Sequence, residues 1–265
     1  MIENKKEFKL ISKKNPKYLL PNALTIFGVC LGLSSIKFAL DANYAFAVIA
    51  IGFAAILDTL DGRVARLIKG TSKIGKELDS LTDVISFGVA PSFIMYFCAI
   101  NEIGKVGWLL VLIYVVCCAL RLARFNLTTI DESENWKINF FEGVPSPAAA
   151  GLVLLPLILS LSNLVQFGNN AILSSIVILV TSFLMVSKIP SYSLKRILIP
   201  RHLTIFLLLG IGIYLGLLIF YTFQTLFLTG VIYVLLLPIS LFHHRYLNKK
   251  SLTSNAADEE TEDIL

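Results

Sequence analysis

The amino-acid sequence predicts an all-α integral membrane protein with about eight transmembrane helices and both termini in the cytoplasm. Three observations support this fold class: the composition, the length of the apolar segments and the distribution of basic residues. The 265-residue chain is 56% hydrophobic and only 15% charged, and its mean hydropathy is +0.77. Soluble domains are typically about 45–50% apolar and about 25% charged. The composition therefore argues against a soluble helical protein.

Eight apolar segments divide the chain, each near the roughly 20 residues that a helix needs to cross a bilayer. They are residues 20–40, 44–56 continuing toward 64, 84–100, 106–120, 148–165, 171–186, 203–221 and 225–242. The first segment lacks a small-residue cleavage site, and a second apolar segment follows it almost at once. We therefore expect it to be a spanning helix and not a cleaved signal.

Lysine and arginine concentrate in every second link between these segments. They are abundant before residue 20 and again in 63–76, 121–124, 188–201 and 245–250. The other four links, "DAN", "NEIGK", "QFGNN" and "YTFQ", contain almost none. The positive-inside rule then places both termini and all basic links in the cytoplasm, which requires an even number of crossings.

The apolar segments and the charge distribution divide the chain into three regions. Residues 1–19 form a basic juxtamembrane segment, either an amphipathic helix on the membrane surface or a leader that only sets orientation. Residues 20–246 form one transmembrane domain. Residues 247–265 are acidic and without periodicity, which predicts a disordered tail.

The most informative stretch is residues 58–83, "DTLDGRVARLIKGTSKIGKELDSLTD". Asp58 and Asp61 share one face of a helix, and Asp79 and Asp83 share one face of the next helix. A turn at 70–72 separates the two helices. We therefore expect two helix ends to present their carboxylates to each other at the cytoplasmic edge of the membrane.

Four carboxylates at close range repel one another unless a cation is present. Divalent cations such as Mg²⁺ prefer carboxylate oxygens and often share their shell with substrate phosphates. Zinc is not favoured, because no cysteine or histidine lies nearby. Gly62 permits close approach to the backbone, and Arg66 is placed to bind a phosphate. The stretch therefore predicts a two-metal site for phosphoryl transfer.

Two other interpretations of the aspartates remain. They could form salt bridges in a cytoplasmic loop of a membrane scaffold, although aspartate beside a spanning helix is costly and usually functional. They could also serve a cation channel or transporter, but such sites usually lie near the bilayer midplane.

The stretch resembles the signature of the CDP-alcohol phosphotransferases, D-x2-D-G-x2-A-R, then eight residues, then G-x3-D-x3-D. The fixed positions are matched by Asp58, Asp61, Gly62, Ala65, Arg66, Gly75, Asp79 and Asp83. The "PN-x-LT" start of the first helix and the first six spanning helices are also similar to this family. The last two helices extend beyond its six-helix core.

The resemblance implies an enzyme that passes the phosphatidyl group of a CDP-linked lipid to an alcohol and releases CMP. It implies that Asp58, Asp61, Asp79 and Asp83 hold two divalent cations, Mg²⁺ or Mn²⁺, and that Asp83 is also the general base. The residues implied to contact the CDP-linked lipid are Asn22, Thr25, Gly62, Arg66 and Ser72.

Two further motifs, "RLARFN" and "EGVPSPAAAG", resemble the phosphatidylserine synthase branch of the family, which implies L-serine as the acceptor. Nearby basic residues suit an acceptor that carries a carboxylate or phosphate; they are Arg121, Arg124, Lys188 and Lys195. They could instead be positive-inside anchors. The alternative acceptors are glycerol 3-phosphate, an inositol phosphate and choline.

The expected partners are CDP-diacylglycerol, L-serine and membrane lipid, and no nucleic-acid partner is expected. The resemblance also implies a homodimer. The expected location is a prokaryotic cell (inner) membrane, with the active site facing the cytoplasm.

Overall fold

The computed structural model describes residues 19–68, 73–127, 140–164, 170–192 and 204–262, with side chains for 20–68, 74–127, 143–164, 170–190 and 204–242. The first half contains α1 (Leu19–Leu40), α2 (Tyr44–Leu67), α3 (Lys73–Asp83), a π-helical segment (Val84–Val89), α4 (Ala90–Cys98), a 3₁₀ turn (Ile100–Ile103) and α5 (Lys105–Leu127). The second half contains β1 (Phe140–Glu142), α6 (Ser146–Val153), α7 (Leu155–Leu161), α8 (Ala171–Val186), β2 (Pro190–Tyr192), α9 (Thr204–Phe220) and α10 (Thr222–Glu262).

Within the described ranges, five helical segments are long and apolar enough to cross a membrane. They are Leu20–Leu40, Tyr44–Leu67, Ile74–Cys98, Lys105–Leu127 and Thr222–Phe242. Ala171–Val186 and Thr204–Phe220 are shorter apolar helices, and α6 and α7 together occupy the fifth predicted segment. The prediction of a helical, multi-pass membrane protein is confirmed. The count of eight crossings and the orientation of the termini stay predictions.

The third spanning segment is one continuous helix in which a π-helical segment follows Asp83 directly. The Tyr114 hydroxyl, on α5, donates a hydrogen bond of 3.0 Å to the carbonyl of Phe87 in this segment. Segments of π-helix inside α-helices frequently occur at functional sites. Here the segment marks the boundary between the aspartate-bearing α3 and the apolar α4.

Helix α1 packs closely on the π-helical segment through glycine. A Cβ placed on Gly32 would lie 2.5 Å from Oγ and 2.9 Å from Cα of Ser86. The Ser86 hydroxyl donates to the carbonyl of Gly28 at 3.3 Å. Because a side chain at Gly32 would push the two helices apart, the glycine fixes the distance between α1 and the aspartate-bearing segment.

The links after α5 and α8 are joined by a small antiparallel ribbon, which was not predicted from the sequence. Strand β1 pairs with β2, and the Gly143 N–H donates to the carbonyl of Ile189 at 2.9 Å. Gly143 has a φ of 76°, a conformation that favours glycine. Strands of three residues are too short to leave an alternating pattern in the sequence.

The two C-terminal helices differ in their packing. Helix α9 has no buried residue among its seventeen, whereas α10 buries Leu237 and Ser240 against the rest of the chain. The Ser240 hydroxyl donates to the carbonyl of Pro190 in the ribbon at 2.7 Å. Helix α10 continues to Glu262, where the sequence predicts a disordered tail from residue 247. The N-terminal segment 1–18 lies outside the described residues, and the domain boundaries stay predictions.

Candidate active site

Three carboxylates from two helices meet at one point. Asp58 and Asp61 lie near the end of α2, and Asp79 lies on α3. One oxygen of each carboxylate lies within 4.8 Å of the others, a spacing that could hold a metal ion. Asp61 is only 4% exposed. The structure thus brings together the two predicted helix faces, although residues 69–72 of the turn lie outside its description.

Asp83, the last residue of α3, adjoins this cluster. Its side chain forms a hydrogen bond with that of Asp58. Its Oδ1 atom is buried and has no hydrogen-bond partner among the described residues. Two ionised carboxylates can only accept hydrogen bonds, so the contact requires either a shared proton or a cation between them.

This donor set fits a hard divalent cation. The cluster offers only carboxylate oxygens, which Mg²⁺ and Mn²⁺ prefer, and includes neither cysteine nor histidine. The buried Oδ1 of Asp83 is a donor atom still available for coordination. A cation would also offset the repulsion among the four carboxylates.

Thr25 on α1 donates a hydrogen bond to the aspartate cluster. Its Oγ1 donates to Oδ2 of Asp61 at 2.7 Å, and the side chain is only 5% exposed. The same hydroxyl lies 3.0 Å from the carbonyl of Pro21, but the carboxylate is the nearer acceptor and the charged one. The structure therefore shows Thr25 orienting Asp61. Asn22, less than one turn earlier on α1, is half-buried.

The side of α2 that carries Gly62 and Arg66 is exposed. A Cβ placed on Gly62 would meet nothing within 4 Å, so the backbone there is accessible to a large group. The Arg66 Nε donates to the carbonyl of Gly62 at 3.1 Å, which folds this cation back beside the glycine. Ser72, the remaining predicted contact of the CDP-linked lipid, lies outside the described residues.

A buried arginine lies beside the aspartates. Arg121, near the end of α5, is only 9% exposed and has an attractive charge interaction with Asp83. Its Nη1 donates to the hydroxyl of Ser146, the first residue of α6. Its Nε is buried and makes no hydrogen bond within the described part of the chain. A positive charge with an available donor thus lies next to the carboxylate cluster.

Ser146 was not predicted as a site residue, although it lies within the "EGVPSPAAAG" motif. The sequence feature that could have identified it is its position between Pro145 and Pro147, because prolines at these positions favour the start of a helix, here α6. A second such contact joins α5 to α3, because Nδ2 of Asn126 donates to Oγ of Ser80 at 2.9 Å. Ser80 follows Asp79 directly, so this bond holds the aspartate-bearing helix against α5.

The other predicted acceptor residues have different surroundings. Arg124 donates from Nη1 to the carbonyl of Val186 at 2.8 Å and from Nη2 to that of Ser187 at 3.3 Å. These carbonyls end α8, so Arg124 caps that helix, where a cation is favourable. Lys188 follows this cap and is exposed. Lys195 lies outside the described ranges.

Comparison with known proteins gives a consistent result. Residues 18–187 match the sequence model of the CDP-alcohol phosphatidyltransferase family. The chain is 35% identical over 234 residues to the CDP-diacylglycerol–serine O-phosphatidyltransferase of Mycobacterium leprae, covering 86% of this chain and 76% of that protein. It is 42% identical over 183 residues to the protein of the same name from Helicobacter pylori, covering 69% of this chain and 76% of the relative. The Bacillus subtilis protein of that name is 37% identical over 177 residues, which cover 67% of this chain and 92% of the relative.

Proposed function

The chain belongs to the CDP-alcohol phosphatidyltransferase family, and from this premise we propose that it transfers the phosphatidyl group of CDP-diacylglycerol to L-serine. The products would be phosphatidylserine and CMP. The observation that carries the proposal is the cluster of Asp58, Asp61 and Asp79 with a buried arginine beside it. The relatives named for the serine reaction, at 35% and 42% identity, support the choice of acceptor.

Asp58, Asp61, Asp79 and Asp83 would hold two divalent cations, Mg²⁺ or Mn²⁺. When bound, such ions neutralise charge on the transferred phosphoryl group and on the departing CMP. The support for this assignment is the all-carboxylate donor set and the buried Oδ1 of Asp83. Thr25 would keep the Asp61 carboxylate in its orientation through the 2.7 Å hydrogen bond.

Asp83 would be the general base. The hydroxyl oxygen of serine attacks the phosphorus of the phosphatidyl group, and the hydroxyl proton passes to the Asp83 carboxylate. A new O–P bond forms, and the bond from that phosphorus to the oxygen shared with the CMP phosphate breaks, so that CMP leaves. A positioned carboxylate base typically accelerates such a step about 10²–10⁴-fold.

The CDP-linked lipid would lie against the exposed side of α2. A Cβ placed on Gly62 would have no neighbouring atom within 4 Å. This space would admit the pyrophosphate close to the backbone. Arg66 would exchange its 3.1 Å bond to the Gly62 carbonyl for the phosphate. Asn22 and Ser72 are proposed as further contacts of the nucleotide, on the strength of the family resemblance.

Arg121 is the best-supported residue for the carboxylate of serine. It is buried, interacts with Asp83 and keeps an available Nε donor within the described residues. An arginine can bind a carboxylate through two parallel N–H groups. Lys188 and Lys195 are proposed to add positive charge for the acceptor, on the strength of their sequence positions. Arg124 would act on the site indirectly, by capping α8.

We also propose that the chain crosses the membrane eight times and that both termini are cytoplasmic. The active site would lie on the cytoplasmic side of a prokaryotic inner membrane. The basic links support this orientation. It places the aspartates at the membrane edge, where both the lipid substrate and soluble serine have access. A homodimer is proposed on the family resemblance alone.

The test is CMP release by the purified protein in detergent, with CDP-diacylglycerol and either Mg²⁺ or Mn²⁺. L-serine, glycerol 3-phosphate, an inositol phosphate and choline are offered separately. We expect release with serine that stops when the metal is chelated. Release with another acceptor alone would keep the family chemistry and refute serine. Serine-dependent release that continues without divalent metal would refute the two-metal site.

A further inference from the structure

The C-terminal end of α5 makes side-chain hydrogen bonds to three other parts of the chain. Arg121 donates to Ser146 at the start of α6, and Arg124 donates to the carbonyls that end α8. Asn126 donates from Nδ2 to Oγ of Ser80 on α3 at 2.9 Å. The first two bonds lead to helices that carry none of the four aspartates. The bond of Asn126 leads to the helix that carries two of them.

The hydrogen bonds of Ser80 define the direction of this contact. The Ser80 hydroxyl donates to the carbonyl of Lys76, one turn earlier on α3, at 3.2 Å. A hydroxyl has one hydrogen to donate and two lone pairs to accept. Oγ is therefore free to accept from the amide of Asn126 while its hydrogen is used within the helix. Because both side chains are half-buried, water replaces a lost partner only in part.

Ser80 lies between the two aspartates of α3. It follows Asp79 directly and precedes Asp83 by three residues, so the bond reaches α3 less than one turn from each carboxylate. One oxygen of Asp79 must also lie within 4.8 Å of those of Asp58 and Asp61 on α2. Mg²⁺ requires nearly ideal octahedral geometry. The affinity of the site therefore depends on how firmly α3 is held.

Helix α3 is held on two sides. Thr82 is only 4% exposed and packs against α1, where a Cβ placed on Gly28 would lie 3.6 Å from its Cγ2. The Thr82 hydroxyl donates within α3, to the carbonyl of Leu78 at 2.9 Å, so it does not bond α3 to α1. Two residues apart on a helix, Ser80 and Thr82 point in directions about 200° apart. The face with the aspartates lies between them.

We propose that Asn126 is a positioning residue for the metal site, whose hydrogen bond to Ser80 keeps the Asp79 carboxylate in place beside those of α2. The inference rests on the function proposed above, because that function assigns divalent cations to the cluster. Asn126 would touch neither metal nor substrate. Direct outer-shell partners of metal ligands typically contribute about tenfold to 100-fold to affinity. Asn126 is one contact further away, so we expect the effect of one neutral hydrogen bond, about threefold to tenfold.

The test measures Mn²⁺ binding directly, from the electron paramagnetic resonance signal of free Mn²⁺. The full-length protein is kept in detergent with CDP-diacylglycerol and without an acceptor, so that no turnover is needed. We expect the Kd for Mn²⁺ to rise about threefold to tenfold in Asn126→Ala and in Ser80→Ala. Ser80→Thr keeps the hydroxyl and should keep the wild-type Kd. A wild-type Kd in both alanine variants would overturn the proposal.

The matched control is Tyr44→Phe. This change removes a hydrogen bond of 3.1 Å to the carbonyl of Phe97 on α4, at the end of α2 that lies far from the aspartates. It should lower the Tm about as much as Asn126→Ala does and leave the Kd for Mn²⁺ unchanged. An equal rise of the Kd in Tyr44→Phe would mean that any lost contact between helices weakens binding, which would overturn the positioning role.

A double variant tests the contact itself. Residues that contact each other give non-additive effects, so Asn126→Ala combined with Ser80→Ala should have a Kd no higher than that of either single variant. Independent effects, which would multiply the two increases in Kd, would overturn the contact.

Failure of this inference is distinguishable from failure of the proposed function. If the wild type does not bind Mn²⁺, the two-metal site and the inference fail together. If the wild type binds Mn²⁺ but releases no CMP with serine, the proposed transfer reaction fails. A raised Kd in Asn126→Ala would then still support the positioning of α3 by Asn126.

Discussion

The candidate site has two ends that are built in different ways. The metal end consists of the four aspartates of residues 58–83, which come from one continuous stretch on α2 and α3. The proposed acceptor end consists of Arg121 and Ser146, which come from α5 and α6. The two ends meet where Arg121 interacts with Asp83.

The difference has a functional consequence. In the proposed function, the metal end contains several carboxylates, and transfer to any acceptor would depend on them. The proposed acceptor end depends on one buried guanidinium, which would matter only for the alcohol that it binds. Changes at the metal end should therefore reduce turnover with every acceptor, whereas changes at the acceptor end should alter the KM for serine.

The largest expected effect is that of Asp83→Asn. Loss of the general base should lower kcat at least about 100-fold. The Tm should not fall, because the substitution removes one of four repelling carboxylates. The matched control is Glu77→Gln, an exposed carboxylate on the same helix, which should keep wild-type turnover. Wild-type kcat in Asp83→Asn would show that this carboxylate is not the base.

The next effect in size tests the acceptor end. In Arg121→Lys the charge remains but the planar fork is lost. We expect the KM for serine to rise about tenfold to 100-fold, as for a lost hydrogen bond to a charged group, with little change in the KM for CDP-diacylglycerol. Arg63→Lys, at an exposed position of α2, is the control. An equal rise in both KM values would mean that Arg121 does not distinguish the acceptor from the lipid.

Thr25→Val should give a smaller effect, confined to the metal end. The hydroxyl that orients Asp61 would be lost, and outer-shell partners of metal ligands typically contribute about tenfold to 100-fold to affinity. We expect the Mn²⁺ concentration for half-maximal rate to rise about tenfold and the KM for serine to stay constant. Thr59→Val, an exposed threonine on α2, is the control. An unchanged requirement for Mn²⁺ would show that Thr25 does not contribute to metal binding.

The smallest effect is expected at Arg124, which distinguishes a helix cap from an acceptor contact. Arg124→Gln should weaken the bonds to the Val186 and Ser187 carbonyls. A loss of about 1 kcal/mol should lower the Tm by about 2–4 °C and leave the KM for serine within about twofold. Arg63→Gln should leave the Tm unchanged. A large rise in the KM for serine without a change in Tm would show that Arg124 contacts the acceptor and is not only a helix cap.

The metal end is largely predictable from the sequence, because its geometry is local. The spacing of Asp58 with Asp61, and of Asp79 with Asp83, is enough to define two helix faces. The spanning helices are predictable for a similar reason, since the length and hydropathy of a segment are local properties. The structure adds the contact of Thr25 with Asp61, which joins α1 to α2 and has no periodic signature.

The acceptor end is only partly predictable, because its residues meet through tertiary packing. Basic residues near the site are visible in the sequence, but spacing alone does not separate Arg121, which faces Asp83, from Arg124, which caps α8. The contact of Arg121 with Ser146 joins α5 to α6 and has no periodic signature in the sequence. The ribbon that anchors α10 is likewise too short to predict.

The most direct test of the two-ended site compares Thr25→Val with Arg121→Lys in one experiment. CMP release is measured across a grid of Mn²⁺ and serine concentrations at saturating CDP-diacylglycerol. We expect Thr25→Val to shift only the Mn²⁺ dependence and Arg121→Lys to shift only the serine dependence. If both variants shift both dependences to the same extent, the metal end and the acceptor end are not separate parts of the site.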